Sequence, residues 1–435
     1  MPESGSKPSF ARAVGLAALA LTFLVLMAWC PAFAQGTDAT IRGRVVAENG
    51  APIQDVIVSV RNVSTGFTSS THSTGSGYYV FAQLPLGGPY EVTARRVGLE
   101  PVTKTGYRLT LGVHVRVDFT LVERTTTLAP VVVSTDTAAL YRQRLGGSTR
   151  IAATTMSDLP AVGRNFTDLA SLAPTVGSEF SIGGARATST DVRIDGMQAR
   201  NMLRGGELGR GPYTISMEAI REFEVVTNVY DVTQGRMGGG SISAVTKSGT
   251  NDFTGSIFAY NRNEALSASE DYQGRGRDLR QSDVWQMGGS VGGPIVKDRI
   301  QYFIAFDRQQ SSVPLAIADI RTPQDEIDLG IAKDSLDRFL SILTSKYGVP
   351  EGTQMVGIFS RKPVANTVFG RLDWQLGDRH HLTFRNNLST SDAPNDGVGD
   401  QVIAVIESRS SSKSIDNQSL LSLRSSLSSS LSNEL

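Results

Sequence analysis

Few residues in this chain have the types and spacing that metal or covalent chemistry requires. Among its 435 residues are four histidines and one cysteine. A zinc peptidase needs nitrogen and carboxylate ligands at fixed spacing, together with an open position on the metal. The histidines form no H-E-x-x-H helix; they are His72, His114, His380 and His381. The sequence therefore predicts no metal site and no cofactor.

One serine motif has to be weighed against this conclusion. Gly288-Gly-Ser-Val-Gly292 fits G-x-S-x-G, the pattern of a nucleophilic serine. That serine needs a sharp elbow between a strand and a helix, whereas here we expect a Gly-Pro turn and another strand. We interpret the match as a coincidence. Because the sequence also contains no Walker loop or dinucleotide fingerprint, we predict that the chain is not an enzyme and has no catalytic residues.

The overall composition excludes one class of partner. The 42 basic and 42 acidic residues balance to a net charge of zero. Since no basic block stands out, no nucleic-acid partner is expected. The 44 glycines suit a β protein that is rich in turns. Cys30 lies in the predicted leader, so the mature chain would have no thiol nucleophile and no disulfide.

Residues 1–34 are typical of a secretory signal peptide. Lys7 and Arg12 provide a positive start, Val14 to Met27 is apolar, and Ala32-Phe-Ala34 is a small-x-small cleavage site. A transmembrane anchor is the alternative, but the apolar run is shorter than the ~20 residues that a full span needs. We therefore predict export.

Residues 38–123 are predicted to form a β-sandwich. About seven short strands alternate with regular turns, and Asn49-Gly50 is a hairpin signal. The segment resembles a carboxypeptidase regulatory-like domain. The resemblance lies in Ile41-Arg-Gly-Arg-Val45, Gly50-Ala-Pro-Ile-Gln-Asp-Val56, Gly77-Tyr-Tyr-Val-Phe-Ala-Gln-Leu-Pro85 and Tyr90-Glu-Val-Thr-Ala94.

Residues 151–251 combine short β-branched strands, glycine turns and short helical pieces. We expect strands at Phe223 to Val226 and at Ile242 to Thr246, and a short amphipathic helix at Glu218 to Glu222. Four motifs follow one another in this stretch. They are Arg193-Ile-Asp-Gly196, Ala219-Ile-Arg-Glu-Phe-Glu-Val-Val226, Gln234-Gly-Arg236 and Val245-Thr-Lys-Ser-Gly-Thr-Asn251.

In this order, the motifs resemble the plug domain of TonB-dependent outer-membrane receptors, in particular the Oar-like branch. The plug positions that we single out are Arg193, Asp195, Gly196, Gly235 and Arg236. Gln234 departs from the pattern, since the family usually has an aromatic residue there. The resemblance implies an α+β plug domain that blocks a barrel, and buried charges often hold plugs of this family in place. For the charged residues of this stretch, solvated faces and turn capping are the commoner interpretation, and we assign no role to any single one; they are Asp168, Asp191, Arg193, Asp195 and Arg221.

Residues 124–150 are predicted to link the sandwich to the plug. By the same resemblance, this linker contains a candidate TonB box, the segment that a TonB-type periplasmic energy-coupling protein would bind. Its residues are Ala129, Pro130, Val131, Val132 and Val133. The physical basis would be strand addition, in which an extended peptide pairs with the edge of a partner's sheet. An ordinary strand of the preceding domain is the alternative.

Residues 252–435 are predicted to begin an antiparallel transmembrane β-barrel in contact with outer-membrane lipid. Thr254 to Arg262, Arg299 to Asp307 and His381 to Leu388 alternate apolar with polar or small residues, some of them loosely. Helical spacing near residues 323–347 predicts a helix in a long extracellular loop. A soluble β-sandwich is the alternative for this part of the chain.

The predicted fold class is therefore mainly β: a sandwich, an α+β plug and the start of an incomplete barrel. The resemblance implies active uptake of an unidentified, bulky substrate across the bacterial outer membrane, with the plug gating the barrel. The alternative is a truncated or adhesion-like envelope protein without transport activity. Barrels of this family have about 22 strands. The 184 residues after Asn251 (435 − 251) suffice for roughly five or six, so we expect an N-terminal fragment.

Overall fold

Strands dominate the chain, which confirms the predicted mainly β fold. The computed structural model describes residues 39–123, 132–134, 148–158, 169–177, 181–186, 189–199, 215–227, 239–263, 283–317, 320, 322–349, 354–355, 357–396, 404–405, 410–427 and 431–435. The predicted signal peptide and two of the plug positions, Gly235 and Arg236, lie outside these ranges.

The N-terminal domain consists of two sheets around one core. Their strand orders are β4-β1-β7, with β8 also paired to β1, and β3-β2-β5-β6-β9. Burial alternates along β1, so one side of the strand faces a core that includes Ile41, Val58, Tyr90 and Phe119. The strands are β1 Ala39–Ala47, β2 Ile57–Asn62, β3 Thr68–His72, β4 Tyr78–Leu84, β5 Gly87–Arg95, β6 Val102–Leu109, β7 His114–Arg116, β8 Phe119–Leu121 and β9 Val132–Ser134.

The second unit, which we call the mixed sheet, has five strands in the order β10-β13-β14-β11-β12. Strand β11 runs parallel to β14, and the other neighbours are antiparallel. A short helix, α1, follows β10. The elements are β10 Ser148–Ala152, α1 Ala153–Asp158, β11 Thr190–Ile194, β12 Met197–Gln198, β13 Ile220–Thr227 and β14 Gly240–Thr246.

The predicted helix at Glu218 to Glu222 is wrong. Only Met217–Ala219 form a 3₁₀ turn, which begins where the Ser216 side chain accepts the N–H of Glu218. Ile220 already belongs to β13. Because β13 pairs with β10 on one side and with β14 on the other, two ladders outweigh the local helical spacing.

The third unit, which we call the long sheet, has seven antiparallel strands in the order β15-β16-β17-β21-β22-β24-β25. At one end, its strands reverse in short turns at residues 297–299 and 377–379. At the other end, the connections are long, as between β15 and β16 and between β17 and β21. The strands are β15 Thr254–Arg262, β16 Val284–Val296, β17 Ile300–Ser311, β21 Val364–Leu376, β22 His380–Asp396, β24 Ser410–Ser426 and β25 Ser432–Glu434.

The connection between β17 and β21 contains two helices, α2 (Pro323–Leu329) and α3 (Lys333–Tyr347). A capping box between Thr322 and Asp325 starts α2. Short strands pair as β18 (Val313–Ile317) with β20 (Gly357–Arg361) and as β19 (Gln354–Met355) with β23 (Ala404–Val405). Within the ranges described above, no helix combines the length and apolar character needed to cross a membrane.

The mixed sheet packs against one face of the long sheet. Phe303, Ala305 and Phe369 of the long sheet join Phe223 and Ile242 of the mixed sheet in one buried cluster. We call this face of the long sheet its inner face and the opposite one its outer face. The packing brings charged side chains of the inner face next to the loops of the mixed sheet.

Candidate functional site

A hairpin turn of the mixed sheet provides the central carboxylate of the candidate site. Strands β11 and β12 are joined by Asp195 and Gly196, whose φ angles are 48° and 78°. Two consecutive positive φ values match a type I′ turn, for which Asp-Gly is a preferred pair. The backbone conformation of the turn therefore explains the Asp-Gly pair of the motif, which places one carboxylate at the tip of the hairpin.

Asp195 connects the mixed sheet to Arg385 on β22 of the long sheet. Arg385 Nε lies 2.8 Å from Asp195 Oδ2 as an ion pair that lacks the alignment of a hydrogen bond. Arg385 Nη2 also donates to the Ile194 carbonyl at 2.7 Å. The Arg385 side chain is fully buried. Removal of either partner would leave the other charge buried with too few partners. Because the two residues belong to different sheets, the pair forms only when the sheets are packed together as observed.

Thr246 connects the same carboxylate to a second arginine. Asp195 accepts the Thr246 N–H at 2.9 Å and the Thr246 hydroxyl at 2.8 Å. Arg371 on β21 donates to Thr246 Oγ1 at 3.0 Å, and to the two carboxylate oxygens of Asp373 at 2.8 and 3.0 Å. We call these residues, Asp195, Thr246, Arg371, Asp373 and Arg385, the junction cluster. Charge-assisted hydrogen bonds of this kind are stronger than neutral ones.

Arg193, the other charged residue of the motif, is neutralised within the mixed sheet. Its Nε lies 2.5 Å from Asp191 Oδ2, and both side chains are buried. Gln198 also donates to Asp191, at 3.1 Å. The two charged residues of the motif thus differ, since Arg193 pairs with a neighbour on its own strand and Asp195 pairs with the long sheet.

Part of the candidate TonB box is paired with the N-terminal domain. Val132–Ser134 form β9, which runs parallel to β6 with Thr103 opposite Val132 and Lys104 opposite Val133. Strand β9 is the last strand on that side of the sheet. This pairing is what the alternative, an ordinary strand of the preceding domain, expects, and its backbone arrangement is also that of strand addition, here to the chain's own sheet. Ala129, Pro130 and Val131 lie outside the described residues.

The long sheet has an apolar outer face and an inner face that is largely polar outside the apolar patch of Phe303, Ala305 and Phe369. Large apolar side chains on the outer face are 42–50% exposed; they include Trp285, Ile304, Phe306, Val368 and Phe384. Polar side chains on the inner face are buried; they include Asp307, Thr367, Asp373, Thr383, Arg385 and Asn387. This distribution is the reverse of that in a soluble sheet, and it matches strands that alternate between lipid and a polar lumen.

The structure brings together only some of the predicted site residues. Asp195 and Gly196 lie at the junction with the long sheet, whereas Val132 and Val133 lie on the N-terminal domain. The serine motif, Gly288–Gly292, lies within β16 and is paired on both sides by strands. It therefore lacks the elbow that a nucleophile needs. Among the residues with described positions, no group of three or more His, Cys, Asp or Glu side chains could hold a metal ion.

Sequence reasoning missed Arg371 and Arg385. A weak signal is present in β22, where polar residues at 381, 383, 385 and 387 alternate with Leu382, Phe384 and Leu388. Since side chains of a strand alternate between its faces, Arg385 belongs with the polar set and faces inward. That pattern identifies Arg385 as an inner-face cation, but it does not identify Asp195 as its partner.

Two sequence families match parts of this chain. The carboxypeptidase regulatory-like domain matches residues 40–122, and the outer membrane beta barrel domain matches residues 245–337. The chain is also 27% identical over 297 residues to the TonB-dependent transporter Oar of Myxococcus xanthus. That match covers 63% of this chain and 27% of the relative, so the chain spans about a quarter of the length of that curated relative.

Solved structures of outer-membrane receptors are similar over about two thirds of the chain. The outer membrane transporter YddB from Escherichia coli has a TM-score of 0.47 and 15% identity, with 65% of this chain and 37% of that chain covered. The siderophore receptor PirA from Acinetobacter baumannii has a TM-score of 0.44 and 18% identity, with 67% of this chain and 39% of that chain covered.

The family matches and the curated relative confirm several of the predictions. The chain has a carboxypeptidase regulatory-like domain and an outer membrane beta barrel segment, and it is a homologue of the Oar TonB-dependent transporter. The predicted location in the outer membrane is confirmed by the same matches.

Proposed function

We propose that this outer-membrane homologue of Oar acts in TonB-dependent uptake, with the mixed sheet as the plug and the long sheet as part of the barrel wall. The observation that carries the proposal is the buried ion pair between Asp195 and Arg385. It holds the tip of a mixed-sheet hairpin against the inner face of a sheet whose outer face suits lipid. A plug that blocks a pore needs attachments of this kind, and a transport cycle has to break them.

The energy needed to separate the two sheets follows from the burial of that pair. A movement that parts the two groups while either charge is still buried costs about 3–5 kcal/mol. Thermal motion alone would populate such a state rarely, so the closed state would persist until an external pull is applied. An energy-coupling partner that binds residues 129–133 by strand addition would supply this pull through the linker.

The substrate of the proposed uptake is unidentified, and its large size is implied only by the resemblance to Oar-like receptors. The relatives named above are a transporter and a siderophore receptor rather than enzymes, and the proposed cycle needs no covalent step. Outer-membrane lipid would contact the apolar outer face of the long sheet, around Phe306 and Val368.

Binding of the coupling partner can be tested with proline substitutions in the linker. Val131→Pro removes a backbone N–H from the candidate TonB box and leaves β9 (Val132–Ser134) unsubstituted, so strand addition to the partner should weaken. We expect affinity for the periplasmic domain of a TonB-type protein to fall about tenfold or more, a loss of ~1.4 kcal/mol. Fluorescence anisotropy with the purified full chain would measure it.

Thr127→Pro is the matched control, because it places proline in the same linker but outside residues 129–133. It should bind the partner like the unmodified chain. If the unmodified chain shows no binding at all, the transport proposal fails and an adhesion-like role takes its place. An equal loss of affinity in both variants would indicate that the coupling site is not confined to residues 129–133.

A further inference from the structure

The N-terminal domain is docked on the mixed sheet through its own backbone. Arg221 donates to the Leu86 carbonyl at 2.9 Å, and Arg150 donates to the Leu111 carbonyl at 2.9 Å. Glu222 accepts the Leu111 N–H at 2.7 Å. Because these bonds end on backbone atoms of the N-terminal domain, they depend on where the domain lies and little on the identity of its side chains.

The same domain is docked on the long sheet through the turn between β2 and β3. We call residues 62–68 the latch turn. Gln301 donates to the Thr65 carbonyl at 2.8 Å, and Gln375 donates to the Thr68 carbonyl at 3.2 Å. The Asn251 N–H donates to the Ser64 carbonyl at 2.8 Å. Here too, the contacts end on backbone carbonyls.

The latch turn fits the long sheet so closely that it requires a glycine. Gly66 has a φ of 73°, and a Cβ atom at this position would lie within 3.0 Å of Asp298, including its backbone. Asp298 belongs to the short turn 297–299 of the long sheet. Next to Gly66, the Phe67 ring packs edge-on against His381 at 5.5 Å between centroids. A side chain at position 66 would therefore prevent this fit.

The docked domain forms one wall of a partly open cavity of about 580 Å³. Phe67 and Leu86 line it from the N-terminal domain, Gln198 and Arg221 from the mixed sheet, and Gln375 and Thr383 from the long sheet. The latch turn contacts the long sheet at its short turns. In outer-membrane barrels, the short turns face the periplasm. The domain therefore lies on the side where a substrate would leave.

We infer that the N-terminal domain is a periplasmic cap, which closes the exit side of the plug and barrel wall and has to undock before a substrate can leave. The interface includes hydrogen bonds and the apolar contacts of Phe67 and Val245. Relative motion is the default expectation for two domains unless their interface is large and hydrophobic. The role in substrate release rests on the proposed transport function, whereas the docking and the closure of the cavity can be tested without a substrate or a coupling partner.

Glycine substitutions combined with hydrogen exchange would test the docking in the full chain. Gly66→Ala should undock the domain, and exchange at the Asn251 and Leu111 amides should become about tenfold faster. The matched control is Gly50→Ala, because Gly50 has a similar φ of 80° but open space around its Cβ position. Amides in the β2–β5 ladder should remain protected in both variants, which shows that the domain itself is folded.

Closure of the cavity needs a second readout. Ser248 lines the cavity, and Ser248→Cys in a Cys30→Ser background offers one thiol for a bulky, water-soluble maleimide. Labelling should be slow in the parent and in Gly50→Ala, and faster in Gly66→Ala. Equal exchange at Asn251 and Leu111 in the two glycine variants would overturn the docking. Faster exchange without faster labelling would overturn the cap. Neither result would affect the test of the coupling segment.

Discussion

At the scale of residues, Asp195 and Arg385 matter most as a pair. Arg385 is fully buried and Asp195 nearly so, with side-chain exposures of 0% and 10%. Arg385→Met should leave the Asp195 carboxylate buried with only its Thr246 hydrogen bonds. Since an uncompensated buried charge costs about 3–5 kcal/mol, we expect a loss of that order in the free energy of unfolding, measured in urea.

The control for Arg385→Met is Arg116→Met on the N-terminal domain. The pair of Arg116 with Asp118 is 67% and 45% exposed, so its loss should cost about 1 kcal/mol or less. The double variant Arg385→Met/Asp195→Asn should recover part of the loss, because both charges are then removed. A loss that is simply additive in the double variant would mean that the two side chains do not interact.

Glu222 should make the stability of the molecule depend on pH. Burial raises the pKa of the Glu222 carboxyl above its ordinary value of 4.5, although the Leu111 N–H and Arg150 partly oppose this. The folded state therefore binds the proton more tightly than the unfolded state. The resulting stabilisation is fully present below pH 4.5 and is lost as the pH rises through the raised pKa. The melting temperature, measured from pH 4.5 to 8, should fall over that window.

Glu222→Gln should remove this part of the pH dependence, because the amide does not titrate. The control is Glu48→Gln, which replaces an exposed carboxyl of the N-terminal domain. It should leave the dependence of the melting temperature on pH as it is in the parent. If the profiles of the Glu222→Gln variant and the parent coincide, the buried carboxyl is not the source of the effect.

At the scale of elements, the two faces of the long sheet are distinguished by what they contact. Phe306 lies in the middle of β17 on the outer face, and Gln310 lies on the same face near the end of the strand. Arginine on the lipid face costs about 2–4 kcal/mol near the midplane and ~0–1 kcal/mol near the interface. Phe306→Arg should therefore destabilise the chain in lipid bilayers much more than Gln310→Arg, as measured by urea unfolding in liposomes.

The same pair of variants also tests the soluble β-sandwich alternative. An outer face in water would accept arginine at either position with small effects, because surface substitutions usually change stability by less than about 0.5 kcal/mol. Equal, small losses for Phe306→Arg and Gln310→Arg would thus contradict a lipid-facing sheet.

Elements with a strong local pattern could be predicted from the sequence, and elements decided by long-range pairing could not. The alternation in Arg299 to Asp307 matches β17, and the strand predicted at Ile242 to Thr246 matches β14. The local spacing predicts a helix at Glu218 to Glu222, yet pairing with β10 and β14 places Ile220 to Glu222 in strand β13. Arg385 lies 190 residues after Asp195 in the chain (385 − 195), and a single sequence contains no signal that joins them.

At the scale of the whole molecule, three units meet at one end of the long sheet: the N-terminal domain, the mixed sheet and the long sheet itself. The mixed sheet is attached to the long sheet by the junction cluster, and the N-terminal domain is attached to both by backbone hydrogen bonds. A displacement of the mixed sheet would break contacts to the N-terminal domain at Leu86 and Leu111. The two movements are therefore coupled by shared hydrogen bonds.

The position of the candidate TonB box along the chain gives a mechanical order to these movements. Between Glu123 and Ala129 lie five residues, and between Val133 and Ser148 lie fourteen. Fully extended, these tethers reach about 17 Å and about 48 Å. Under a pull at residues 129–133, the shorter tether becomes taut first, and β9 adds a second attachment to the same domain. Force would reach the N-terminal domain before the mixed sheet, so under the proposed function the domain would undock before the mixed sheet is under tension.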